Sequence, residues 1–181
     1  MNVLTLPVSV VFFASLVAAA TDLRQFKIYN ILTLPLIVSG IVYHAASEGW
    51  PGMVQSSVAT GLCVVILFVP YLCGAFGGGD LKLMMGVGAW LGLPWTVYVL
   101  LASSIASGVY AVALLLRYGG FQRLLQNVQI FYYKLKALGA HIGPEENIEM
   151  ILAQPDRYRR AIPFGAMVAV GLALVAWWTN R

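Results

Sequence analysis

The chain has 181 residues, 60% of them hydrophobic and only 10% charged, with a mean hydropathy of +0.82 and a formal net charge of +4. Soluble domains average about 45–50% apolar and about 25% charged residues, so this chain lacks the polar residues that a water-facing exterior needs. The values exclude a soluble globular chain and indicate an integral membrane protein. The positive balance comes without a basic–aromatic RNA-binding pattern, so no nucleic-acid partner is expected.

Six apolar segments follow in chain order, each near the ~20 residues that cross a bilayer or somewhat shorter. They are Val3–Ala20, Ile31–Ala46, Met53–Leu72, Leu81–Leu93, Thr96–Leu116 and Ile162–Trp178. All are continuously apolar, whereas barrel strands alternate. The expected fold is therefore all-α, a polytopic membrane bundle of about six transmembrane helices. The first segment ends in small residues, as a signal peptide does. It has no basic stretch before it, and Arg24 and Lys27 follow it, so it reads as a retained helix. The fourth segment is short, rising only ~20 Å as a helix, and must tilt, sit in a thinned bilayer or stop short of crossing.

Charge orients the bundle. With alternating spans, all of the 11 Lys and Arg except Arg181 fall on one side, and the loop "SEGWPG" on the other side carries Glu48 and no base. Positive charge stays in the cytoplasm during insertion, so both termini are expected outside. The bases then face anionic lipid headgroups of the inner leaflet. Trp50, Trp95, Trp177 and Trp178 fall near the outer interface, as an aromatic belt would. No repeat or separate soluble domain is visible. Residues 1–181 read as one membrane-embedded domain with a cytoplasmic connector at about 117–161. Within it Leu124, Leu125, Val128, Phe131, Leu135 and Leu138 have helical spacing, suiting either an amphipathic surface helix or a plain connector.

Few side chains can carry chemistry. Cys63 and Cys73 do not have zinc spacing and read as packing thiols. His44 lies near the outer edge of the second span, far from the aspartates, and reads as interfacial; His141 has no cysteine or histidine partner, so neither a metal nor a cofactor is expected. Glu48 reads as solvated. Glu145, Glu146, Glu149 and Asp156 form an acidic stretch that either receives a basic peptide or is simply solvated. Asp22 and Asp80 stand apart. Each falls at the cytoplasmic edge of a span, where a carboxylate near hydrocarbon is costly and functional by default. Asp80 follows Gly77, Gly78 and Gly79, whose freedom from side chains allows a sharp turn and close approach of a substrate strand.

Plainer readings exist for both. Asp80 suits a helix N-cap, and Asp22 could pair with Arg24 or Lys27. Two aspartates on one membrane edge also suit aspartyl proteolysis, in which neighbouring carboxyls share a proton and work as acid and base. From the helix ends alone, Asp80 at an N-terminus should have the lower pKa and act as the base, and Asp22 the higher.

The segment "DLRQFKIYN" (Asp22–Asn30) resembles the D-x-R-x-x-x-I-P-N segment of type IV prepilin peptidases. "GGGDLK" (Gly77–Lys82) resembles their G-x-G-D-x-K motif, and "IPFG" (Ile162–Gly165) is similar to the Pro-Phe-Gly that opens their last helix. The short chain is similar to the compact enzymes of tight-adherence (Flp) pilus systems. The resemblance implies a bacterial inner-membrane aspartic endopeptidase. Such an enzyme removes the short basic leader of a prepilin on the cytoplasmic side, after a glycine and before the hydrophobic helix. It also implies that Asp22 and Asp80 are the catalytic pair. Arg24, Lys27, Asn30 and Lys82 would support them, with Pro163, Phe164 and Gly165 shaping the start of the last helix. The pilin and the pilus assembly machinery are the implied partners. Tyr29 stands where the family often has proline. The four-cysteine domain of larger, methylating members is missing, so neither zinc nor methyltransferase activity is expected. A small proton- or cation-coupled transporter, or a non-catalytic pilin-binding subunit, would share some of these features. Transporter ion sites, however, usually lie near midplane rather than at an edge.

Overall fold

The computed structural model describes residues 5–25, 28–72, 77–118, 132 and 164–179. Among them the chain is helical throughout, with α1 (Thr5–Gln25), α2 (Asn30–Leu72), α3 (Gly78–Leu91), α4 (Leu93–Tyr118) and α5 (Phe164–Thr179). Residues 1–108 and 163–181 belong to one compact unit and residues 109–162 to a second. Of the second unit only the end of α4 and Tyr132 are described. The amphipathic stretch, the acidic stretch, Cys73, His141 and Pro163 thus lie outside the described residues.

The expected loop between the second and third apolar segments is not a loop. Helix runs to Glu48, reverses at Gly49 (φ 66°, ψ −148°) and resumes at Trp50, so α2 is two arms, 30–48 and 50–72. Two residues account for so short a reversal. Gly49 adopts a positive φ that side chains disfavour. Pro51 stands in the first turn of the second arm, where its fixed φ suits a helix start. Gly52 lies directly over the first arm: a Cβ there would meet His44 O and Glu48 Cβ at 2.6 Å.

Both arms pack on α3, in opposite directions. Along the first arm, Leu36 meets Gly86, and Gly40 meets Ala89 and Trp90. Along the second, Ser56 meets Ala89 and Ala59 meets Gly88, with Thr60 near Met85. The α2 hairpin therefore straddles α3. The glycines make this possible, since a Cβ on Gly40 or Gly88 would come within 2.8–2.9 Å of the facing backbone. Hydrogen bonds cross the same contacts: Ser56 Oγ donates to Ala89 O at 2.7 Å and Trp90 Nε1 to Leu36 O at 2.9 Å. Helices α1 and α5 pack together and complete the core around Leu83, Met84 and Val87. Helix α5 also touches α4 where Gly171 meets Ser103.

The unit has an apolar outside. Phe13, Ile31, Val65 and Ile105 are all more than 65% exposed, whereas Ser15, Thr33, Ser56, Thr60, Thr96 and Ser103 are buried. Soluble proteins rarely expose apolar surface on this scale. Asn30–Leu72 and Leu93–Ala113 are long and apolar enough to cross a membrane, and Leu6–Asp22 and Phe164–Trp178 are shorter apolar helices. Helix α3, at 14 residues, is the short segment expected from sequence, and it ends at Gly92 (φ 70°).

The close contact at Gly88 gives a stability prediction. Gly88→Ala would force a Cβ to 2.9 Å from Ala59 O, a backbone atom that cannot swing away. Thermal melting in detergent should show a loss of about 1–3 kcal/mol, the usual cost of overpacking. Gly61→Ala, with nothing within 4 Å of the new Cβ, should melt at or slightly above the parent temperature, since alanine favours a helix over glycine.

Candidate active site

Asp22 lies in the last turn of α1 and Asp80 is the third residue of α3, both just beyond the apolar segments 3–20 and 81–93. Asp22 is buried, only 8% exposed. Its Oδ2 accepts a hydrogen bond from the backbone N–H of Gly165 at 3.3 Å. Gly165 is the second residue of α5, so Asp22 takes up one of the N–H groups that a helix start leaves unpaired. Gly165 also packs closely on α1: a Cβ there would lie 3.3 Å from the Ala18 backbone, a tight contact. Phe164 is buried in the core beside it. Of the last-helix motif, Gly165 therefore reaches the aspartate through its backbone and Phe164 anchors the helix start.

Asp80 is held differently. Its Oδ2 accepts the Gly77 N–H at 3.0 Å, while Gly77 O accepts from the Asp80 N–H at 3.1 Å. Asp80 thus also serves the start of its own helix, from the third position rather than the N-cap. The expected sharp turn at the glycines is corrected. Gly77 is extended at φ −77°, and the positive-φ glycines among the described residues are Gly49 and Gly92. Gly79 serves close packing instead, since a Cβ there would meet Ile28 Cβ at 2.8 Å and Ile28 O at 3.0 Å. The link between α1 and α2 is thereby seated on the first turn of α3. Gly78 lies in ordinary contact with the Tyr71 ring.

Lys82 and Asn30 also come together: Lys82 Nζ donates to Asn30 Oδ1 at 2.9 Å. The proline-to-tyrosine departure does not delay α2, because Tyr29 O accepts from the Leu32 and Thr33 N–H groups and the helix begins at Asn30. Arg24 belongs to α1, but its side chain, like Lys27 and Pro163, falls outside what is described. Sequence reasoning missed Ile28 and the amide role of Gly165. The only sequence signal for the first was the glycine it touches.

Burial raises both carboxyls, including Asp80, which its position at a helix start would lower. Burial pushes Asp80 up to about 6, the Gly77 N–H opposes this, and the charge on Asp22 raises it further. Asp22 is also raised by burial, with the Gly165 N–H acting against the shift. The start of α5 faces Asp22 and favours its ionised form, which the end of α1 alone would not. The two groups interact, so their titration belongs to the pair. Among the described residues no three His, Cys, Asp or Glu side chains gather as a metal site.

An apolar helical bundle with two interacting carboxyls at one end is a class of site suited to general acid–base hydrolysis. The chain belongs to the type IV leader peptidase family, whose profile matches residues 9–112. That match spans more than half of the chain and takes in Asp22, Asn30, Asp80 and Lys82. Membership makes the chain a protease of the leader-peptidase kind, with a prepilin as the implied class of substrate, in a family of membrane proteins. No curated protein and no solved structure matches the chain.

A raised carboxyl pKa means that the folded state binds the proton more tightly than the unfolded state does. The stability from protonated Asp80 is then fully present below about 4, its unfolded range, and lost as pH rises through about 6. The parent should melt at a lower temperature at pH 7.5 than at pH 5. Asp80→Asn, which keeps an oxygen for the Gly77 N–H, should flatten that slope in a thermal-shift series. An unchanged slope would place the pH dependence elsewhere.

Proposed function

We propose that the chain is an aspartic endopeptidase that cuts the short basic leader from a prepilin, with Asp22 and Asp80 as the catalytic pair. The observation that carries this reading is the coupling of the two carboxyls from separate helices, one held by an amide of α5 and the other by an amide of its own helix start. The ionised carboxyl of the pair takes a proton from water as the water oxygen attacks the peptide carbonyl carbon, and the protonated one donates to the carbonyl oxygen. Collapse of the tetrahedral intermediate breaks the C–N bond, and a proton passes to the leaving amine. Lys82 and Asn30 brace the start of α2 against α3. Arg24, Lys27 and Pro163 are supporting residues by motif alone.

The six helical segments are read as membrane-embedded, with both termini outside and the aspartates at the cytoplasmic edge of the bacterial inner membrane. The one-sided distribution of Lys and Arg and the apolar exterior support this topology. Cleavage would then follow a glycine and precede the pilin's hydrophobic helix, as in compact Flp-type enzymes. The unit of residues 1–108 and 163–181 carries the proposed site, and residues 117–161 are read as a connector. Neither zinc nor methyl transfer is part of this reading.

Co-expression with Flp-type prepilins, followed by mass spectrometry of the pilin, tests it. The parent should remove the leader, and Asp22→Asn and Asp80→Asn should each slow removal by roughly 100-fold or more, the usual range for a lost acid or base. Lys82→Met should lose about 5-fold, matching about 1 kcal/mol for one hydrogen bond. Full cleavage by either aspartate variant would end the acid-pair mechanism. Pilin binding without cleavage by the parent would favour an assembly subunit.

A further inference from the structure

The end of the bundle opposite the aspartates holds a second polar site. A cavity of about 190 Å³ lies there, bounded among others by Tyr43, His44, Glu48, Gln55, Trp90 and Trp95. His44 Nε2 is 2.9 Å from Trp90 O, and its Nδ1 is 3.3 Å from Glu48 Oε1. A carbonyl can only accept, so Nε2 carries a hydrogen. The ring lies between the Trp90 carbonyl and the Glu48 carboxyl, and acts as a brace that holds Glu48 at the cavity.

The ionisable acceptor left open to the cavity is Glu48. Glu48 is 45% exposed at its side chain, leaving lone pairs open. Gln55 is exposed and forms no hydrogen bond among the described residues. Among the described residues no lysine or arginine lines the space. The walls include aromatic rings, with Tyr43 stacked on Trp90 at 5.1 Å. A carboxylate, an amide carbonyl and aromatic faces together favour an organic ammonium group over an anion. The cavity is also larger than a bare ion needs.

Its position narrows the source. Trp50, Trp90, Trp95, Trp177 and Trp178 all lie toward this end of their helices, three of them well exposed. Tryptophans gather at headgroup depth in a bilayer. We infer that this cavity binds the ammonium of an ethanolamine phospholipid headgroup, held by Glu48 and Gln55 against the aromatic wall. The inference rests on the membrane reading of the chain and is independent of peptidase activity.

The test is native mass spectrometry of the full chain released from micelles containing equal amounts of ethanolamine and glycerol phospholipids with the same acyl chains. The parent should retain the ethanolamine lipid at least threefold over the glycerol lipid. Glu48→Gln should bring the ratio to parity, and Gln55→Leu, on an exposed position, should lower it part of the way. Equal retention by the parent, or a preference that survives Glu48→Gln, would overturn the inference. A second arm adds soluble O-phosphoethanolamine to lipid-free protein and follows tryptophan fluorescence. No saturable change supports a lipid source. A saturable change that Glu48→Gln abolishes would assign the cavity to a free ammonium compound and overturn the lipid reading.

Discussion

The described core depends on how closely α3 approaches both arms of α2. At Gly40, Gly86 and Gly88 the helices meet with no side chain on one partner, and at Gly40 and Gly88 a glycine meets the facing backbone. In a bilayer, lipid tails are as apolar as the helices, so close van der Waals packing and interhelical hydrogen bonds must hold the bundle together. The bonds from Ser56 and Trp90 to backbone carbonyls lie within these glycine contacts. The same closeness continues to the end of α3, where Gly79 seats Ile28. The first turn of α3, and Asp80 with it, is thus fixed by packing that begins far from any carboxyl.

The two aspartates differ in what holds them. Asp80 is bound to its own helix start, so it moves with α3. Asp22 is bound to the start of α5, a contact between chain positions 143 residues apart. The N-terminal helix alone would place an anion at the wrong end of a dipole. The last helix supplies the favourable end. The placement of α5 against α1, with Gly165 close over Ala18, therefore brings to Asp22 the amide that it accepts from.

Much of this was legible in the sequence. Charged residues are so few that Asp22 and Asp80 stood out, and the apolar runs marked the helices because the exterior as well as the core is apolar. Other features were hidden for physical reasons. "SEGWPG" reads as a loop because its residues favour turns, and only the positive φ at Gly49 lets the helix run through most of it. Glu48 reads as solvated because its partner, His44, takes its direction from a carbonyl 46 residues away. The surroundings of Asp22 were hidden for a similar reason: the end of α1 was visible, but the arrival of α5, whose Gly165 N–H it accepts, was not. The last two failures involve contacts that are distant in sequence and made through the backbone, and the first a single backbone angle; none leaves a mark in periodicity or composition.

The shortness of α3 bears on the surrounding lipid. Fourteen residues rise about 21 Å, against a hydrocarbon layer of about 30 Å. The two polar ends of the bundle, at Asp80 and at Trp90, are separated by little more than this helix. A bilayer that α3 crossed without tilting would have to draw its leaflets together there, at an elastic cost that grows with acyl-chain length. Membrane thickness would then act as a sorting field, with short acyl chains favoured around the bundle.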